Sequence, residues 1–156
     1  MGRPDPGPLR PRLVLDTGAL IALERDDRRT NEHLVVAARR GFLIVVPVLV
    51  AMEAERAARD PRRMAVLLGR IDALLPLLPS TARQVAPLRR RSGVASDTDI
   101  VVVLEAIAVP GSRILTGDAR DILAVIDAAQ KQIEELKSQV VDLVAILGSN
   151  QSRGAF

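Results

Sequence analysis

Four carboxylates are set against apolar stretches of this chain: Asp16 in LVLDTGALIAL, Glu53 in VPVLVAMEAER, Asp99 in SDTDIVVVLEA and Asp118 in RILTGDARDI. Hard cations such as Mg2+ and Mn2+ prefer oxygen ligands and usually keep several waters. A site that uses such a cation to cleave a phosphodiester needs several carboxylates on separate rigid elements, all aimed at one spot. Without the cation the cluster repels itself and raises its own pKa values. With it, water can be oriented and made more acidic, and charge building on the phosphate is neutralised. Taken singly, each acid has an ordinary reading. Asp16 and Asp118 suit turns, Asp99 suits a first helical turn, and Glu53 suits an exposed helix position. Their joint order carries the argument. No cysteine is present, which excludes thiolate sites and thiol nucleophiles, and the single histidine, His33, cannot build a multi-histidine centre.

The elements that must position these acids alternate in type. Residues 13–15 read as a buried strand ending in Asp16, followed by a Thr17-Gly18 turn and a helix over 19–25. Thr30 can cap a helix to about Arg40, with Gly41 as its stop. Residues 43–46 form a second strand, and Pro47 suits the first turn of a helix to about Arg59. Pro61 can open a helix through about Leu75, with Leu77-Leu78 as a short third strand. Ser80 or Thr81 can cap the next helix, which ends near Ser92-Gly93. Ser96 or Asp97 can cap one over 100–108. Residues 113–116 make a fourth strand, and Gly117-Asp118 begin the following turn. Strands alternating with helices predict a parallel sheet flanked by helices, with the site beyond the C-terminal strand ends.

LDTGALIAL, VPVLVAMEAE, SDTDIVVVLEA and ILTGDARDI together resemble the four ordered motifs of PIN domains, especially the VapC-like toxins of bacterial toxin–antitoxin pairs. The resemblance spans residues 13–125. It implies a three-layer α/β/α sandwich with a parallel sheet and an endoribonuclease that depends on Mg2+ or Mn2+ and cleaves single-stranded RNA. The catalytic acids it implies are Asp16, Glu53, Asp99 and Asp118, with Asp16, Asp99 and Asp118 as metal ligands. Thr17 and Thr116 match positions where the family commonly carries a hydroxyl beside the site. Asp97 competes with Asp99, but acids two apart on a helix face different ways, and TDIVV matches the motif better. Glu55 competes less well with Glu53, and Asp121 is a supporting acid. The family also ends in a short last strand, where this chain instead runs into a long helix starting at about Ala119 or Ile122. Other phosphate chemistries fit less well: no lysine precedes Lys131, as a receiver domain would require, DTGAL carries one aspartate where a haloacid-dehalogenase-like phosphatase wants two, and no GxxxxGK[ST] loop is present.

Charge and composition set the surroundings. Through Asp127 the chain carries 19 basic and 16 acidic residues, and with four acids committed to a cation the remainder is 19 against 12. That balance suits a polyanion held around an acidic centre. Arg89, Arg90 and Arg91 are the expected RNA contacts. Phe42 and Phe156 are the only aromatics, so bases are not expected to stack on aromatic platforms. The opening MGRPDPGPLRPR lacks the apolar centre of a signal peptide, and no apolar run reaches the roughly 18 residues of a membrane span. A cytoplasmic protein is the expectation.

Beyond residue 125 the composition changes. Ile126, Ile133, Val140 and Leu147 repeat every seven residues, with Ala129, Leu136 and Leu143 three further on. That is a coiled-coil seam, and it predicts a continuous helix over most of 121–147 and self-association. The expected organisation is a flexible segment at 1–11, a nuclease domain at 12–125, the heptad helix at 126–147 and a flexible tail at 148–156. The expected partners are RNA, an antitoxin and further copies of the chain. The rival reading is a catalytically inert body that serves as an oligomerising scaffold through its last helix.

Overall fold

A computed structural model describes the backbone of residues 9–153 and the side chains of residues 9–137. The apolar runs become four short strands: β1 Arg12–Leu15, β2 Leu43–Pro47, β3 Ala73–Leu75 and β4 Arg113–Leu115. They form one sheet in the order β3-β2-β1-β4, and every pairing is parallel. Val14 of β1 sits opposite Val45 on one side and Ile114 on the other. Strands covered on both faces need side chains that are apolar on both, which is why β1 and β2 read as unbroken runs.

Among the described residues there are seven helices: α1 Thr17–Glu24, α2 Arg28–Arg39, α3 Val48–Ala57, α4 Pro61–Leu68, α5 Pro79–Ser92, α6 Asp97–Ile107 and α7 Ala119–Arg153. α1 packs on α2, α3 and α4, while α5, α6 and α7 pack on one another and α6 lies along β1, β2 and β4. The architecture is α/β with a parallel sheet, compatible with three layers. Residues Ile100 through Ala106 of α6 are all buried, as expected of a helix that is apolar all round. The one charge in that buried stretch, Glu105 at 8 % exposure, is met by the Arg12 guanidinium at 3.1 Å. Among the described residues no helix is long and apolar enough to cross a membrane.

Several boundaries differ from the sequence expectation. The third strand is Ala73–Leu75, not residues 77–78, and α4 stops at Leu68 instead of continuing to Leu75. Asp72 explains the shift. Its backbone N–H donates to the Ile44 carbonyl at 2.9 Å, and its carboxylate accepts the Ile44 N–H at 2.7 Å, so the chain docks on β2 one residue before β3. Pro76 cannot continue the ladder, and Pro79 opens α5 without a side-chain cap from Ser80 or Thr81. α2 is capped by Asp27, whose carboxylate accepts the Thr30 N–H at 2.8 Å, not by Thr30 itself.

The segment expected to be flexible at the start of the chain is partly tied down. The Arg10 guanidinium donates to the Gly41 carbonyl at 2.9 Å, and Leu43 N–H donates to the Pro11 carbonyl at 3.0 Å. Residues 1–8 lie outside the described residues. At the other end α7 stays helical to Arg153, past the Leu147 at which a loose tail was expected to follow. The seam positions Val140, Leu143 and Leu147 lie outside the residues whose side chains are described. The core runs past Val125 to Ala128 and Ala129, so the first turns of α7 belong to the domain.

The Asp72 anchor can be tested directly. Asp72→Ala strips the Ile44 N–H of its partner and should lower unfolding free energy by about 1–3 kcal/mol in a urea titration. Leu78→Ala, at a side chain 53 % exposed, should change it little. The opposite ranking would move the strand back to residues 77–78.

Candidate functional site

A parallel sheet brings its strand ends to one edge, and the helices that follow begin there. Asp16 is the first residue after β1. Its N–H donates to the Leu115 carbonyl of β4 at 3.1 Å, and its Oδ1 accepts the Ala19 N–H at 2.7 Å, capping α1. Gly18 and Gly117 let the turns after β1 and β4 approach closely: a Cβ on Gly18 would stand 3.4 Å from the Gly117 backbone. Asp118 follows β4, and its Oδ1 accepts the Arg120 N–H at 3.1 Å at the start of α7. Thr116 Oγ1 accepts the Asp118 N–H at 3.1 Å and donates to the Asp118 carbonyl at 2.9 Å, holding that turn.

The other two acids come from helices. Ser96 Oγ accepts the Asp99 N–H at 3.3 Å and caps α6, which sets Asp99 in its first turn. Glu53 lies in the second turn of α3, where its Oε2 accepts the Thr17 hydroxyl at 3.2 Å. Asp16, Glu53, Asp99, Asp118 and Asp121, with Thr17, Gly18, Ser96 and Gly117, line one open cleft of about 450 Å³.

The electrostatics of the cleft follow from this crowding. Burial pushes the Asp16 carboxyl up, and the nearby Asp118 charge adds to it; hydrogen bonds from Thr116, Ala19 and Gly117 pull the other way without overcoming it. Asp99 is also raised, first by burial, then by the charges of Asp121, Asp16 and Glu53, against the hydrogen bond with Ser96. The N-terminal ends of α1, α6 and α7, with their partial positive charge, face the same acids and offset part of the repulsion.

The four acids expected to act together thus line one cleft, and Asp121 and Thr17 join them. Thr116 supports Asp16 from the side. Asp97 turns away and pairs with Arg89 at 3.3 Å, and Glu55 is exposed and lines no part of the cleft. His33 is exposed on α2. Two of the three arginines expected to touch RNA are engaged within the chain, Arg89 with Asp97 and Arg91 with Glu135; Arg90 has no ion pair among the described residues. Sequence reasoning missed Ser96, Gly18 and Gly117 as cleft residues. Ser96 was legible as the cap of the helix that carries Asp99, and the two glycines as the residues next to strand-end acids.

The donor set is all oxygen, from carboxylates and hydroxyls, which fits a hard divalent cation and no thiophilic one. Among the described residues no three such side chains converge tightly enough to grip an ion by themselves. The cleft has room for an ion that keeps part of its hydration shell, as Mg2+ does. A larger groove of about 630 Å³ beside β4 is lined by apolar residues such as Val103, Ile114 and Leu123 and by no carboxylate. No family model, curated protein or solved structure matches the chain.

Crowding of this kind has a measurable sign. A carboxyl raised in the folded state favours folding fully only below its unfolded pKa of about 3.9, and that contribution is lost as pH rises through the folded value. Asp99→Asn removes the charge. The metal-free variant should therefore melt higher than the parent at neutral pH, with the advantage vanishing once the pH falls below about 3.9. The positive end of α6 opposes the gain by about 0.3–1 kcal/mol, less than burial and three facing carboxylates together. A lower melting temperature at neutral pH would show that the acids do not strain one another.

Proposed function

We propose that this chain is a PIN-type endoribonuclease that cleaves single-stranded RNA with Mg2+ or Mn2+, as a VapC-like toxin held in check by an antitoxin. The observation that carries the reading is the meeting of carboxylates from four separate elements in one cleft at the C-terminal edge of a parallel sheet. The order of the motifs along the chain supports the family, and the absence of cysteine and of a second histidine leaves carboxylates to do the work.

In this reading Asp16, Asp99 and Asp118 hold the cation, with Glu53 and Asp121 beside them. The cation, when bound, supplies Lewis-acid stabilisation of the phosphate and makes the attacking water more acidic. The chain's own residues set the geometry. The Ala19 amide fixes one oxygen of Asp16, which also lines the cleft. Thr17 orients Glu53, and Ser96 fixes the first turn that carries Asp99. The amide ends of α1, α6 and α7 favour a phosphate at the cleft mouth. The reaction is hydrolysis: the water oxygen bonds to phosphorus, a cleft carboxylate takes the water's proton, the phosphorus–oxygen bond to the leaving sugar breaks, and the sugar oxygen takes a proton from solvent.

A second reading, an inert body that assembles subunits, is favoured by Ile133 and Leu136, which are exposed on α7. Cleavage of a mixed single-stranded RNA pool with Mn2+ and with EDTA separates the two. The nuclease should cut only with the metal, and Asp16→Asn or Asp99→Asn should slow it on the order of a hundredfold or more, as loss of one electrostatic group does elsewhere. Mn2+ should also raise the melting temperature of the parent and not of Asp99→Asn. Full activity in both variants would sink the assignment.

A further inference from the structure

The last turn of α5 carries Arg89, Arg90 and Arg91. Residues 93–96 then join α5 to α6, and the last of them, Ser96, lines the cleft. Arg91 is committed elsewhere: both its terminal nitrogens donate to Glu135, at 3.0 and 2.6 Å. Arg89 makes a single contact, from Nη1 to the Oδ1 of Asp97 at 3.3 Å, and both side chains are about half exposed. An exposed pair with one contact contributes little to stability, so its arginine is readily given up to another anion.

Asp97 and Asp99 stand on two sides of one helix start. Both lie in the first turn of α6, about 3 Å apart along its axis. Residues two apart on a helix face different ways, so Asp99 lines the cleft while Asp97 turns to Arg89. The guanidinium is thereby held roughly one helix diameter, about 10–12 Å, from the carboxylate of Asp99. The cleft alone does not attract a polyanion, because before a cation binds it is lined by five carboxylates. Attraction must come from cations at its margin, and arginines at such places grip the phosphate backbone and set its register.

Resting on the nuclease reading above, we infer that Arg89 grips a phosphate of the single-stranded RNA neighbouring the one in the cleft, and that Asp97 holds the guanidinium at the cleft margin until the RNA displaces it. Asp97 then competes with the phosphate for one cation. The two residues therefore act with opposite signs on RNA affinity, and the effect of Asp97 passes through Arg89. A flanking phosphate is held alike before and during cleavage, so the contact belongs to binding and not to the chemical step.

Fluorescence anisotropy of a short labelled single-stranded RNA with the full chain, in Ca2+ and over a series of salt concentrations, reads both effects. Arg89→Gln should weaken binding about tenfold and lower the slope of log affinity against log salt by about 0.7, one phosphate's share on a single strand. Asp97→Asn should tighten binding about threefold, and that gain should vanish when Arg89→Gln is also present. Arg28→Gln removes the same charge from an exposed pair with Glu32 on α2, which lines no part of the cleft, and should change affinity little. In Mn2+, Arg89→Gln should raise KM and leave kcat and the metal-induced rise in melting temperature as in the parent. Unchanged RNA affinity in Arg89→Gln overturns the inference alone. So does a gain from Asp97→Asn that persists without Arg89, since Asp97 would then merely repel the strand. RNA binding that depends on Arg89 without any metal-dependent cleavage would sink the nuclease reading and leave the phosphate contact standing; no RNA binding at all sinks both.

Discussion

Asp16 carries its carboxylate at 6 % exposure, where burial alone disfavours the charge. It is held there because it serves two structures at once. Its backbone N–H extends the ladder between β1 and β4, and its Oδ1 accepts the Ala19 amide in the first turn of α1 at 2.7 Å. A carboxylate at that point satisfies the helix end with a charge that the helix N-terminus favours. Asp16 also lines the cleft. Its raised pKa is the cost of burying a charge where the helix needs an acceptor.

The same logic explains which parts of the molecule were legible in the sequence. Asp16, Asp99 and Asp118 stand where an apolar run starts or stops, and such junctions fall at the edge of a parallel sheet. The short strands β1 and β2 are readable because most of their residues lie between covered faces, where polar side chains are costly. β3 was misplaced because it sits at the sheet edge, half-buried at best, so Leu74 is not distinguishable by type from Leu77 or Leu78. What fixes it is Asp72, a polar residue, acting through Ile44, 28 positions away. No local pattern encodes a partner at that distance. Glu53 was the hardest acid to place, since helix periodicity alone does not say which exposed position meets Thr17.

The boundary at residue 125 failed for a related reason. A seven-residue repeat looks the same whether it meets a second helix or the helix's own domain. Ile126 and Ala129 keep the repeat yet are absorbed by the core, while Ile133 and Leu136 keep it and are not.

Asp118 and Asp121 share the fourth place in a way the motif does not express. Asp118 gives one oxygen to the Arg120 amide, as a helix cap must, and so arrives at the cleft partly committed. Asp121, three residues on, lies in the first turn of α7, and its charge is the largest felt by Asp99 after burial itself. A helix start that presents acids at its cap and three residues later offers two carboxylates to one spot, since residues three apart lie on the same face. The two side chains can divide the work: one secures the turn after β4, and the other supplies charge to the cleft. Because both ride on the first turn of α7, whatever fixes the axis of that helix, including its bond to α5 through Arg91 and Glu135, also fixes where this pair of charges stands.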